Sequence, residues 1–114
     1  MNIVLLQGVL SSEPREKELP SGDRLVSWEV TTLTGEQRLS VPVVWFGPPK
    51  TVGRVHEGDA VVIAGRVRRR YWQGGSGGVA SSTEVVADQW ARADRPAAVA
   101  KIVDRLIVDA EPAA

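Results

Sequence analysis

One segment constrains the fold of this chain more than any other. Residues 60–72 read Ala-Val-Val-Ile-Ala-Gly-Arg-Val-Arg-Arg-Arg-Tyr-Trp, rich in β-branched and aromatic side chains and free of proline. That is a strand of unusual length. The glycine inside it, Gly65, suits a strand that coils sharply while serving both halves of a closed sheet. Four shorter strands accompany it. Residues 3–10 are apolar, with Gly8 as a point of bending. In 24–33, Leu25, Ser27 and Glu29 alternate with Val26, Trp28 and Val30, the period of two that marks a half-buried strand. Residues 39–46 are rich in valine, and 81–90 follow the run Gly74-Gly75-Ser76-Gly77-Gly78, which reads as a flexible tip. Turn signals separate these segments: Pro20-Ser21-Gly22-Asp23, Gly35-Glu36-Gln37, Gly47-Pro48-Pro49 and His56-Glu57-Gly58-Asp59. Five strands with no helix of normal length among them predict an all-β fold, and the long coiled strand favours a small barrel over a sandwich.

Residues 94–110 differ in kind. Asp94 is placed to cap a helix and Pro96 to occupy its first turn, while Val99, Ile102, Val103, Leu106 and Ile107 recur at three- and four-residue spacing. The pattern predicts an amphipathic helix of about four turns, with a frayed end over 111–114. A chain of 114 residues closes one hydrophobic core, so the expected division is a β domain over 1–91 and a helical extension over 92–114. There is no cysteine, which removes disulfides and thiolate metal sites. No apolar run approaches the roughly 20 residues of a membrane span, and the N-terminus has no charged region followed by a cleavage site. No membrane partner and a cytoplasmic location are expected.

Catalysis finds little support. The single histidine, His56, lies in a turn beside Glu57 and Gly58, and no second histidine is there to share a metal. The glycine run lacks the following Lys-Ser/Thr of a phosphate loop, and no nucleophile elbow or metalloprotease pattern occurs. The reading is a protein that is not an enzyme, with no cofactor, no metal and no small-molecule substrate. Charge is more informative. The net charge is zero, yet residues 51–72 hold Arg54, Arg66, Arg68, Arg69 and Arg70 against Glu57 and Asp59. On a strand Arg66, Arg68, Arg70 and Trp72 share one face, and Val67, Arg69 and Tyr71 the other. Extended backward, Val61, Ile63 and Val67 fall on the buried face. Guanidinium groups ending in an indole suit single-stranded nucleic acid, since arginines track phosphates and an unpaired base stacks on the aromatic plane. The same arginines would also serve as a solvated edge that blocks strand aggregation, with Trp72 as an apolar cap.

The order of motifs adds to this. Gly8-Val9-Leu10-Ser11-Ser12-Glu13-Pro14 is followed by Leu19-Pro20-Ser21-Gly22 and then Ser27-Trp28-Glu29-Val30-Thr31-Thr32. Next come Val41-Pro42-Val43-Val44-Trp45-Phe46-Gly47 and Glu57-Gly58-Asp59-Ala60-Val61-Val62-Ile63-Ala64-Gly65-Arg66-Val67. Arg68-Arg69-Arg70-Tyr71-Trp72 and Thr83-Glu84-Val85-Val86-Ala87 complete the series. Taken together over residues 3–91, the chain resembles the bacterial single-stranded DNA-binding protein family. The resemblance implies a five-stranded OB-fold barrel that binds single-stranded DNA in replication, recombination or repair. It implies DNA contacts at Arg68, Arg70, Trp72 and Phe46, to which strand parity adds Arg66. Trp45 and Trp28 fall on core-facing positions, and Trp90 is expected to pack against the C-terminal helix. Pairing through the first strand, as is usual in that family, implies a homo-oligomer, dimer or tetramer.

The departures are as specific. The connection over 33–38 is far shorter than the family's binding loop, Ser40 stands where a stacking tryptophan is usual, and Pro42 where a basic residue is common. Pro48-Pro49 interrupts the start of the family's helix, and the helix of 94–110 stands where the family carries an acidic-tipped disordered tail. Stacking is worth ~1–3 kcal/mol per base, so two lost platforms imply weaker binding than that of the housekeeping relative. The alternative is an OB-fold protein-interaction or assembly module of the primosomal type, with little residual DNA binding.

Overall fold

A computed structural model of the chain describes residues 1–75 and 77–110. The frayed end expected over 111–114, and Ser76 of the glycine tip, lie outside the described residues. The chain forms six strands, β1 (Val4–Leu10), β2 (Arg15–Glu18), β3 (Arg24–Thr34), β4 (Gln37–Phe46), β5 (Ala60–Gln73) and β6 (Val79–Arg92), then one helix, α1 (Pro96–Asp109). They make a single sheet in the order β1-β5-β6-β4-β3-β2, and a further β1–β3 pairing closes it into a ring. All pairings are antiparallel except β4 with β6. The sheet thus holds one strand more than the five expected. The extra strand, β2, is Arg-Glu-Lys-Glu, and it carries no apolar residue that periodicity could register.

The strand that serves both halves of the ring is β1, not the long β5. Residues Val4 to Val9 pair with β5, and Val9 and Leu10 turn to meet Thr31 and Val30 of β3. Gly8 sits at that crossing, where a Cβ would overlap the carbonyl oxygen of Thr31. Beyond Leu10 the chain returns as β2 along the same edge of β3, with Arg15 opposite Ser27 and Glu18 opposite Arg24. Strand β5 is long for another reason. Its last neighbour in β1 is Val4, opposite Gly65, and beyond that point it pairs with β6 alone. The side-chain amide of Asn2 ends the β1 edge by bonding both the N–H and the carbonyl of Val67, at 2.9 and 2.8 Å. From there β5 and β6 run outward as a two-stranded ribbon. Val67 has the parity of the core but is 44% exposed, because the ring beneath it has ended. Its expected burial is corrected accordingly.

Inside the ring lie Leu10, Val26, Trp28, Val30, Val43, Trp45, Val61, Ile63 and Val85, all buried. Trp28 packs edge-on to both Trp45 and Trp90, at ring-centroid distances of 5.3 and 5.9 Å. Such pairs add ~0.5–1.5 kcal/mol each to the burial of their area. Trp90 therefore closes the main core and does not face the helix as expected. A bulge is the cause. Ala64 pairs with Gln89 and Gly65 with Ala87, so Asp88 is an extra residue and every side chain after it changes face. A 3₁₀ turn over Lys50–Arg54 shuts one end of the ring with Val52, followed by the buried Val55, and Trp90 Nε1 donates to Thr51 Oγ1 at 3.2 Å.

Helix α1 lies on the outside of the ring's own sheet. Ile102, with Val99 and Leu106 beside it, covers Ala64 of β5 and Ala91 of β6. Its N-cap is Arg95, not Asp94, and no side chain caps the first turn. Pro96 explains the shift, since the residue before a proline is held extended and becomes the boundary. Asp94 instead lies 3.8 Å from the Arg95 guanidinium. No helix among the described residues is long and apolar enough to cross a membrane.

Asp59 secures the turn into β5. Its carboxylate accepts the His56 backbone N–H at 2.9 Å and an Arg92 N–H at 3.2 Å. Both bonds favour the ionised form, the backbone bond most, and hold its pKa below the ordinary aspartate value. A carboxyl depressed in the folded state binds fewer protons than in the unfolded chain. Its stabilisation is complete above the unfolded-state pKa and is lost as pH falls through the folded-state one. Asp59→Asn should therefore lower the melting temperature at neutral pH, with the gap to wild type closing in acid. Thermal melts of both proteins across pH check this.

Candidate nucleic-acid interface

The outward face of β2, β3, β4, β6 and the ribbon half of β5 forms one open groove of about 620 Å³. Each strand reaches it by alternation. On β3 and β4 the inner positions Val26, Trp28, Val43 and Trp45 are buried, which turns Leu25, Ser27, Val44 and Phe46 outward. On β5 and β6 the pairing sets Arg68 opposite Glu84, Arg70 opposite Ser82 and Trp72 opposite Ala80, all on that same outer face. The close approach of β5 and β6 requires Gly65, where a Cβ would overlap the carbonyl oxygen of Val86.

The predicted residues meet in part. Phe46, Arg68 and Arg70 all line the groove. The Arg68 guanidinium lies over the Phe46 ring, 5.0 Å from its centroid, and that of Arg70 lies 5.3 Å from the Trp72 centroid. Trp72 is on the same face farther along the ribbon, beyond the groove lining, and is 45% exposed, as is Phe46. Arg66 has the right parity, opposite Val86, and is exposed, but it is not among the residues lining the groove. Arg69 and Tyr71 stack on each other on the opposite face of the ribbon, at 5.7 Å, and Arg69 reaches Ser81 Oγ at 3.1 Å.

Five charged residues of the groove, Glu13, Arg15, Lys17, Glu29 and Glu84, lie outside the set expected from sequence. Glu84 is only 4% exposed; its Oε2 accepts from Arg68 Nη2 at 2.8 Å and its Oε1 lies 3.5 Å from Arg70 Nε. One buried carboxylate thus holds both arginines. A signal for it exists, because a hairpin centred on the glycine tip sets 68 opposite 84, though no binding motif marks the pair. Arg15 and Lys17 enter from β2, opposite Ser27 and Leu25. In all, Arg15, Lys17, Arg68 and Arg70 face Glu13, Glu29 and Glu84 across the groove, a slight positive excess. Two of these carboxylates have other partners, Glu13 beside His56 Nδ1 at 3.2 Å and Glu29 accepting from Ser40 Oγ at 2.6 Å.

The surface offers aromatic planes, guanidinium planes and free cations on one concave sheet. The described residues include no group of three or more His, Asp or Glu placed to hold a metal. No protein-family model matches the chain.

Proposed function

We propose that the closed sheet is an OB-type barrel and that its outer groove binds single-stranded DNA without catalysis. The observation that carries the reading is the placement of Phe46, Arg68 and Arg70 together with Arg15 and Lys17 in one groove, with Trp72 continuing the same face. Unpaired bases stack on aromatic and guanidinium planes, and free cations track the backbone. Duplex DNA has no unstacked base to offer such planes. The ordered motifs shared with the bacterial single-stranded DNA-binding proteins support the same reading. Because Glu84 offsets one of the two charges of Arg68 and Arg70 and the excess of cations is small, binding is expected to be weak and its salt dependence shallow.

Tryptophan fluorescence tests this directly. Trp28 and Trp45 are buried and Trp90 is partly buried, whereas Trp72 is open to solvent. Titration with oligo-dT at low and moderate salt should quench the emission of Trp72, less completely at the higher salt. An unchanged spectrum at low salt overturns the proposal.

A second reading, a protein-interaction module, is favoured by one feature. Ile107 and Val108, 68% and 81% exposed, leave part of the helix apolar and uncovered. Outward Leu5 on β1, 49% exposed, is likewise where the resemblance would place contact between copies of the chain. Removal of residues 94–114 separates the two readings, since it should leave oligo-dT binding intact under the first and abolish partner capture or assembly under the second.

A further inference from the structure

We propose that β2 is the phosphate rail of the groove: Arg15 and Lys17 hold the backbone of a single strand whose bases lie over Phe46 and Arg68, while Glu84 withholds Arg68 and Arg70 from the phosphates. This rests on the reading of the groove as a single-stranded DNA site and assigns the roles within it.

The assignment comes from which cations are already paired. Both oxygens of the buried Glu84 face guanidinium groups, Oε2 toward Arg68 and Oε1 toward Arg70. Arg68 is committed further, because its guanidinium covers Phe46. A phosphate approaching this pair meets two cations whose attraction is offset in part by a fixed carboxylate of low solvent exposure, poorly screened by salt. A base meets something else, a guanidinium plane lying on an aromatic ring, which is a stacking surface.

Strand β2 presents the opposite case. All four of its residues are exposed, and alternation sends Arg15 and Lys17 into the groove and Glu16 and Glu18 away from it. Glu16 is taken up by Arg24, at 2.7 Å. Arg15 and Lys17 make no ion pair among the described residues. They are the free cations of this groove. Register also places them suitably, because Lys17 is opposite Leu25 and Leu25 opposite Phe46, so the three form one row across the sheet. Two strand spacings, about 10 Å, separate the backbone of Lys17 from that of Phe46. A strand laid along β2 with its bases turned toward β4 and the ribbon would set phosphates on one wall and bases on the other.

The test follows the anisotropy of a labelled oligo-dT across a salt series, using wild type, the double variant Arg15→Ala with Lys17→Ala, and Glu84→Gln. A control pair, Lys101→Ala with Arg105→Ala, lies on α1 away from the groove. Each phosphate contact contributes about 0.7 to the slope of log affinity against log salt for a single strand, so loss of Arg15 and Lys17 should flatten the slope by about 1.4. Glu84→Gln should raise affinity and steepen the slope, because Arg68 and Arg70 become available to phosphate. The control pair should match wild type. A double variant with the wild-type slope overturns the assignment, as does a Glu84→Gln protein that keeps its far-ultraviolet spectrum yet binds less tightly. A wild type that does not bind oligo-dT overturns the reading of the groove itself and this assignment with it.

Discussion

Gly65→Ala should melt more than about 12 °C below wild type, or fail to fold. The added methyl would overlap the Val86 carbonyl oxygen and come within 2.9 Å of the Ala87 Cα, both backbone atoms of the neighbouring strand. Side chains relieve overpacking by changing rotamer, at a cost of about 1–3 kcal/mol, but a paired backbone has no such freedom. The bulge at Asp88 is adjacent, so shifting β6 would also disturb the register that turns Trp90 inward against Trp28. A loss above about 3 kcal/mol is expected, and each kilocalorie lowers the melting temperature of a domain this size by about 4 °C. Gly75→Ala is the matched comparison, because a Cβ there meets nothing within 4 Å. Thermal melts followed by circular dichroism decide it. If Gly65→Ala melts within a few degrees of wild type, β5 and β6 do not approach this closely in solution.

The largest functional loss should come from Phe46→Ala combined with Trp72→Ala. Each ring is about half exposed, so neither is needed by the core. Stacking contributes ~1–3 kcal/mol per base, and removing both planes should weaken oligo-dT binding by roughly 30- to 20,000-fold on the same scale. The arginine over each ring does not change the expectation. A base either displaces the guanidinium or stacks on its outer side, and in both cases the ring beneath is the support. Tyr71→Ala removes an aromatic ring from the other face of the ribbon and should bind as wild type does. Anisotropy reads all three proteins without relying on a tryptophan. A double variant weakened by less than threefold would mean that no strand crosses these two rings.

What can be read from the sequence follows from how each element buries itself. The alternation of Val26, Trp28 and Val30 identifies β3 and its inner face, since one side of that strand meets the core and the other meets water. The same parity places Trp45 inside and Phe46 outside. Strand β2 escapes because four charged residues carry no hydrophobic period; it is a strand only because β3 offers it an open edge. The bulge at Asp88 leaves no mark in the sequence pattern, and it is what turns Trp90 into the core and away from the helix expected to cover it. Parity gives Val67 to the core because alternation reports which way a side chain points, and not whether any core lies there. The arginine face is legible, whereas the carboxylate that neutralises part of it belongs to the partner strand and becomes visible only once the hairpin is paired.

The ribbon has a consequence for how this surface can vary. The register of β5 against β6 is fixed at the ring end, by the pairs from Val61 with Arg92 to Gly65 with Ala87. Residues added in pairs to both arms beyond Val67 would keep arginine and indole positions on the same side and leave every core contact unchanged. A single residue inserted into one arm would reverse the sides of all that follow. The reach of the surface is thus a dimension that mutation can lengthen or shorten in two-residue steps without renegotiating the fold.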